Sequence, residues 1–407
     1  MAIAPKSANV EKLPVKNMNM QTAHEPSMSF LMITYNQEKT IEQALKSALA
    51  QDYPHLEIIV CDDCSKDRTF EIASNIVADY HGPFKIILQR NDPNLGIGAN
   101  FHKAFTLATG EWLFMAAGDD VSMPDRCRAV ADGIRQFPDA LAFGSNYEVI
   151  DGDSRSLGFS QPEHRLGPGA VIAWHRSIFT SFAPLGKELK VEDAPLYPRV
   201  FLLGGTYVKL PQVTLQYRMD GHSFTGQDRN NVLNVQKYFL KVRKVLVKVM
   251  EQRFADIATA HSFHKENKWL NLLEERQKWA YNEILKDIAE REETIHILEA
   301  PFFSKLRYLL CNSAPSLRMG FAQRMKLILS AYRPLIWIKR KITKSVSWSE
   351  MIAKETVPKL PAELSPLIID ARFYLTHIDH DFCGSDYFES FERDFLTPER
   401  RKMLQIP

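Results

Sequence analysis

Residues 110–126 read Gly110-Glu-Trp-Leu-Phe-Met-Ala-Ala-Gly-Asp-Asp-Val-Ser-Met-Pro-Asp-Arg126. A turn glycine opens the stretch, an apolar run over 112–117 follows, and two adjacent carboxylates, Asp119 and Asp120, close it. A run of about six apolar residues bounded by turn signals reads as a buried strand. Acids just past such a strand stand where open α/β sheets bind ligands. Adjacent carboxylates repel, so the pair is costly without a cation. One reading is Mg²⁺ or Mn²⁺ held by one or two carboxylates, with a diphosphate completing the shell. The other is a helix N-terminus, where Asp sits well in the dipole field. Ser122-Met-Pro-Asp125 has the spacing of a capping box with Asp in place of Glu, which predicts a helix starting there with Pro124 at its first position.

The same punctuation runs outward on both sides. An apolar strand over 28–34 leads into the polar loop Tyr35-Asn36-Gln37-Glu38. Ile41, Ala44, Leu45, Ala48 and Leu49 then keep helical spacing until Asp52-Tyr53-Pro54 ends the helix. A strand over 56–61 runs into a second acid pair, Asp62-Asp63, and Ser65 or Asp67 can cap the next helix. Phe70, Ala73, Ile76, Val77 and Tyr80 mark that helix's buried face. A strand over 84–89, a loop over 91–98 and a helix over 99–108 lead back to Gly110. Beyond it, 140–145 and 147–150 read as further strands. This alternation predicts an α/β fold with a mostly parallel sheet, flanked by helices and joined by right-handed crossovers. Three strands then deliver acid-bearing loops to one edge. Gly96-Ile-Gly98 lacks a third glycine, so no dinucleotide fingerprint is present.

The totals narrow the class. At 407 residues the chain is long enough for two domains, and its 45% hydrophobic and 25% charged content is that of an ordinary soluble protein. A net charge of +2 gives no global pull toward nucleic acid. Five cysteines suggest a reducing compartment rather than a disulfide framework, and the lone Cys61-x-x-Cys64 lacks a second pair at zinc spacing. Residues 1–27 read as a flexible arm without a secretory signal. No run approaches the ~18 apolar residues of a spanning helix; 327–338 is broken by Arg333 and Pro334.

Several segments together match a known family. Thr34-Tyr35-Asn36-x-Glu38, Gln51-Asp52-Tyr53-Pro54 and Glu57-Ile-Ile-Val-Cys-Asp-Asp-x-Ser65-x-Asp67-x-Thr69 resemble the opening of family 2 glycosyltransferases. Asn94-x-Gly96-x-x-x-Asn100, Thr109-Gly110-Glu111-Trp112 and Gly118-Asp119-Asp120 continue the pattern in order. The resemblance covers about 28–226 and implies a GT-A fold. It implies that Asp62 and Asp63 contact the nucleotide, that Thr34, Tyr35 and Glu38 lie beside the nucleoside with Asn94 nearby, and that Asp119 and Asp120 meet the ribose, diphosphate and metal. A third acid common in the family is Ala117 here.

Further on, 169–179 resembles the family's acceptor-side segment, with Arg176 before Ile178-Phe179. Glu192-Asp193 resembles its Glu-Asp motif and implies Asp193 as catalytic base. A capped helix start is the plainer reading of that pair. Tyr217-Arg218 and Gly221-His222-Ser223 resemble the loop over the diphosphate, with Arg218 on phosphate oxygens and His222 as a further ligand; many relatives carry the His where this chain has Asp220. The implied cofactors are Mn²⁺ or Mg²⁺ and a nucleotide-sugar donor, a UDP-sugar first. The implied reaction is inverting transfer to a hydroxyl of a glycan or lipid-linked acceptor in surface polysaccharide biosynthesis.

From 231 the resemblance ends and a helical C-terminal region is expected over 231–407, after a GT-A domain over 28–230. Phe239, Val242, Leu246, Val249 and Met250 share one helical face, and Trp269, Leu272, Leu273, Ile284 and Ile288 another. Between 301 and 349 there is no Asp or Glu, while Lys305, Arg307, Arg318, Arg324, Lys326, Arg333, Lys339, Arg340, Lys341 and Lys344 mix with Phe302, Phe303, Tyr308, Phe321, Tyr332 and Trp337. That composition fits either an anionic membrane surface or a helical bundle with solvated basic faces. The expected location is cytoplasmic, peripheral at the inner face of the cell membrane, with no nucleic-acid partner. A nucleotidyltransferase and a non-catalytic sugar- or nucleotide-binding module are the rival readings.

Overall fold

A computed structural model describes residues 25–160, 167–186, 189, 193–219, 232–264, 268–300, 356–357, 359–360, 365–370, 374 and 397–404. Its centre is β1 (Met28–Thr34), β2 (Leu56–Asp62), β3 (Lys85–Arg90) and β4 (Trp112–Ala117), in parallel and in the order β3-β2-β1-β4. Each is an apolar run, and β1, β2 and β4 are buried along nearly their whole length. Because the strands are parallel, their ends at Thr34, Asp62 and Ala117 share one edge.

Beyond β4 the sheet turns antiparallel through β8 (Ala173–His175), which pairs with both β4 and β6 (Ala140–Ile150). The strands anticipated over 140–145 and 147–150 are this single β6. It lies parallel to β9 (Thr206–Arg218) and antiparallel to β7 (Ser156–Ser160). The β6 register jumps where β9 carries Pro211, and the Asn146 amide donates to the Pro211 carbonyl at 2.9 Å. Proline is tolerated in a strand at such an irregularity. The longest ladders are parallel, so the sheet is mixed and mostly parallel.

Helices cover both faces. On one lie α1 (Ile41–Leu49), α2 (Thr69–Ala78) and α4 (Arg126–Gln136), packed on Phe30, Ile58, Val60 and Phe114. On the other lie α3 (Ile97–Leu107), α5 (Ser177–Thr180) and α6 (Leu196–Leu202), packed on Leu31, Ile59, Met115 and Trp174.

The expected capping box at 122–125 does not form. Ser122 belongs to β5 (Val121–Ser122), paired with Leu215 and Gln216 of β9, and α4 starts only at Arg126 without a side-chain cap. Strand pairing overrides the local signal there. Asp67, in contrast, accepts the Thr69 N–H at 3.0 Å at the start of α2.

After β9 the chain forms an antiparallel pair of long helices, α7 (Val232–Phe263) and α8 (Lys268–Glu299). Leu246 and Met250 meet Ile284 between them, and Lys244–Glu292 (2.7 Å) and Arg243–Asp287 (2.6 Å) cross the seam. Phe239, expected on the buried face, is exposed, with the Arg291 guanidinium over its ring. Ile257, Ala260, Trp269, Leu270 and Leu273 join α6 and Trp174 in one hydrophobic cluster. The C-terminal part also returns to the sheet: β10 (Thr356–Val357) pairs with β7, and β11 (Leu367–Ile369) with β9. No helix among the described residues is long and apolar enough to cross a membrane. The basic stretch 301–349 lies outside the described residues.

Candidate active site

The edge formed by the ends of β1, β2 and β4 is one interlocked surface. The Asp63 N–H donates to the Thr34 carbonyl (2.9 Å), and the Gly118 N–H to the Ile33 carbonyl (3.1 Å). Thr34 is buried, and its hydroxyl donates to Gln37 Oε1 at 2.7 Å. A Cβ on Gly118 would lie 2.7 Å from Thr34 Oγ1, so only glycine lets the acid-bearing turn come this close. The loop after β1 is pinned to the loop after β2: the Asn36 N–H donates to Ser65 Oγ (2.9 Å), the Gln37 N–H to Thr69 Oγ1 (2.7 Å) and the Glu38 N–H to Asp67 Oδ2 (3.2 Å). Tyr35 and Glu38 remain exposed on this rim.

Asp62 and Asp63 are both buried. Asp62 accepts from the Ser65 N–H (3.0 Å) and hydroxyl, with Arg90 at 3.5 Å. Asp63 accepts from Asn91 Nδ2 (2.9 Å) and from the N–H groups of Leu95 and Gly96 (2.8 Å each). Asn94 donates to the Asp63 carbonyl at 2.6 Å and is itself exposed. The Asp63 carboxylate is thus already engaged in shaping the 91–96 loop and the Asp62 carboxylate in holding Ser65, while Tyr35, Glu38 and Asn94 form the exposed part of that rim.

Asp119 and Asp120 sit on the turn between β4 and β5. Asp120 is buried; its Oδ1 accepts the Arg218 N–H at 2.8 Å, and its Oδ2 has no hydrogen-bond partner. Burial first, and then the adjacent Asp119 charge, push the Asp120 carboxyl well above the usual carboxylate range. A buried carboxylate oxygen without a donor, beside a second carboxylate, fits a divalent cation. No cluster of three or more metal-ligating side chains occurs among the described residues. Other ligands would have to come from a bound diphosphate, water or residues not described.

Arg218 is engaged within the protein. Its Nε donates to the Asp119 carbonyl (2.8 Å), Nη1 to the carbonyls of Asp151 (2.8 Å) and Gly152 (3.1 Å), and Nη2 to Gln43 Oε1 (2.8 Å) and Ser154 Oγ (3.1 Å). Every guanidinium N–H has a protein acceptor, so in this structure Arg218 holds the acid turn instead of facing a phosphate. His222, Glu192 and Asp220 lie outside the described residues.

Asp193 precedes α6. Its Oδ2 accepts the Gly169 N–H at 2.9 Å, and its carbonyl accepts the Leu196 N–H at 2.8 Å. Tyr217 of β9, edge-on to Tyr147 at 5.7 Å, feels both acid groups. Burial, then the charges of Asp120, Asp119, Tyr147 and Asp193, push its hydroxyl up. The charges of Asp119, Asp120 and Asp193 therefore all act on this one hydroxyl.

Glycosyl transferase family 2 is the family whose model matches this chain, over residues 29–181. EpsE of Bacillus subtilis (strain 168), a protein named for glycosyltransferase activity, is 37% identical over 264 residues, which are 59% of this chain and 94% of EpsE. The chain belongs to glycosyltransferase family 2. The succinoglycan biosynthesis protein ExoO of Rhizobium meliloti (strain 1021) is 34% identical over 139 residues, covering 34% of this glycosyltransferase and 38% of ExoO. Among solved structures, S. aureus TarS 1-349 in complex with UDP-GlcNAc is 18% identical, with a TM-score of 0.44, over 78% of this chain and 92% of that one.

Two organising residues of this glycosyltransferase escaped the sequence reading. Arg126 is fully buried, with its guanidinium 5.3 Å from the ring centres of both Phe30 and Phe114. It donates to the carbonyls of Met115 (3.1 Å) and Ala170 (2.6 Å), joining β4 to the turn that contacts Asp193. Burial lowers its pKa to about 10, the Cys127 and Asp120 charges opposing. A basic residue at the start of a helix opposes the dipole, and that was the available signal. Gln43, the acceptor for Arg218, carried none.

Proposed function

We propose that this glycosyltransferase moves a sugar, with inversion, from a nucleoside-diphosphate donor to a hydroxyl of a glycan or lipid-linked acceptor during cell-envelope polysaccharide synthesis. The observation that carries the site assignment is the partnerless Oδ2 of buried Asp120, beside the charge of Asp119. Asp120 and Asp119 would hold Mn²⁺ or Mg²⁺, which when bound neutralises charge on the leaving diphosphate. Arg218 and Arg126 keep that acid turn in place. Asp193 removes the proton from the acceptor hydroxyl as it attacks the anomeric carbon, help typically worth ~10²–10⁴ in rate. Tyr35, Glu38 and Asn94, with Asp62 and Asp63 behind them, border the nucleoside, and a UDP-sugar is the first donor to try. The name of ExoO, a succinoglycan biosynthesis protein, supports the polysaccharide context.

A screen of UDP-, GDP- and dTDP-sugars with Mn²⁺, read by the released nucleotide, tests this. Free nucleoside diphosphate is expected, reduced at least ~10²-fold in Asp193→Asn. Pyrophosphate as product would favour a nucleotidyltransferase. Undiminished turnover in Asp193→Asn would remove Asp193 as base.

A further inference from the structure

The segment that carries Asp193 is held from behind by α7, a helix far outside the family-matched residues 29–181. Arg253 of α7 is buried, and its Nη2 donates to the carbonyl of Ala194, the residue after Asp193, at 2.6 Å. One turn earlier, Val249 packs against Leu189 and Ala194. Gln252 accepts the Gly186 N–H at 3.2 Å and donates to Asp256 at 3.1 Å. Asp256 grips Arg199 of α6 with both carboxylate oxygens, Nε–Oδ2 2.7 Å and Nη2–Oδ1 2.9 Å. Arg199 in turn donates to the carbonyls of Ile178 (3.1 Å) and Ala183 (2.9 Å). Both members of this ion pair are only 1% exposed.

A buried, two-pronged ion pair contributes little net stability against an apolar pair of similar size. It does fix geometry, because the guanidinium and carboxylate planes have one good alignment. Here the alignment sets the distance between α7 and α6, and Arg253 uses the resulting position to hold the backbone beside Asp193. On the opposite side, the Asp193 carboxylate accepts the Gly169 N–H at 2.9 Å.

We propose that Arg253 is a positioning residue for Asp193, so that the helical hairpin is a working part of the transfer site. Arg253 touches no substrate; it acts by keeping the Asp193 backbone at the height the acceptor hydroxyl requires. The inference rests on reading Asp193 as the base. A misplacement of about 1 Å at a reacting group can lower a rate by roughly 10²-fold.

The test uses the full chain and the donor that gives turnover with Mn²⁺. Arg253→Met should lower kcat about 10- to 100-fold with the donor Kd unchanged, and Arg253→Lys should restore part of it. In the Asp193→Asn background, Arg253→Met should cost little more, because two residues acting through one function do not add. Hydrogen–deuterium exchange, which needs no donor, should show faster exchange at the amides of 169, 194 and 196 and none of it at β1 and β2. If Arg253→Met does not fold, Gln252→Ala, at the exposed edge of the same brace, should give the same loss of kcat and the same exchange pattern. Unchanged kcat and unchanged exchange, or losses that multiply with Asp193→Asn, would overturn the proposal while leaving the base assignment standing. Full turnover in Asp193→Asn alone would instead overturn that assignment, and the exchange data would still report whether the brace exists.

Discussion

Asp120 concentrates the tension in this site. It is buried beside another carboxylate, and one of its oxygens has no donor. Without metal that charge opposes folding; under the proposed function a bound cation would take it as a ligand. Asp120→Asn keeps the shape and removes the charge. The metal-free variant is expected to melt higher than wild type, by roughly 1 °C for each kcal/mol recovered in a chain of this length. It should also lose the rise in Tm that Mn²⁺ gives the wild-type protein. Calorimetry with and without Mn²⁺ reads both, and a metal-free variant that melts lower would contradict this account. Arg218 belongs to the same scale. Because its guanidinium is fully engaged around Asp119, Asp151, Gly152, Gln43 and Ser154, Arg218→Lys should lower Tm as well as turnover.

Single elements show what was legible in the sequence and what was not. β1, β2 and β4 announced themselves because a strand buried on both faces is an unbroken apolar run, and each ended on a polar loop. The acid pairs were legible for the same reason: adjacent carboxylates stand out after such a run. β5, β8, β10 and β11 are too short to carry a period, and they exist only through partners distant in sequence. Ser122 shows the physical cause, since its capping signal lost to pairing with Leu215. Arg126, Gln43 and Arg253 act through contacts made across the fold, so spacing along the chain could not reveal them.

β2 also carries a strut at its other end. Glu57 accepts from Ser29 Oγ (2.7 Å) and from the Thr109 N–H (2.5 Å) and hydroxyl (3.0 Å), with Lys85 at 3.5 Å. Burial pushes Glu57 up, but the bonds from Thr109 and Ser29 and the Lys85 charge outweigh it and hold the carboxyl below its ordinary 4.5. A depressed folded value means that the contribution is complete above the unfolded value and is lost as pH falls below it, through the folded one. Glu57→Gln should therefore lower the urea midpoint near neutral pH and approach wild type in acid. Parallel curves across that range would refute the assignment.

At the scale of the whole molecule, one hydrophobic cluster runs from the sheet into α7 and α8, and the C-terminal strands return to β7 and β9. The hairpin thus shares a hydrophobic cluster with the enzyme's sheet. In the sequence, the acid-free basic stretch 301–349 follows α8. With attraction of ~1 kcal/mol per basic residue near an anionic surface, it should bring the protein up with phosphatidylglycerol vesicles in flotation at low salt. High salt should release it. Failure to float at low salt would remove the membrane proposal and leave the transfer site untouched.

The central claim is that Asp119 and Asp120 hold a cation against the donor's diphosphate. Crystals soaked with MnCl₂ and UDP, measured at the manganese absorption edge, test it most directly. An anomalous peak within coordination distance of Asp120 Oδ2, with diphosphate density on its far side, is the expected result. Manganese and nucleotide bound elsewhere, with Asp120 untouched, would contradict it.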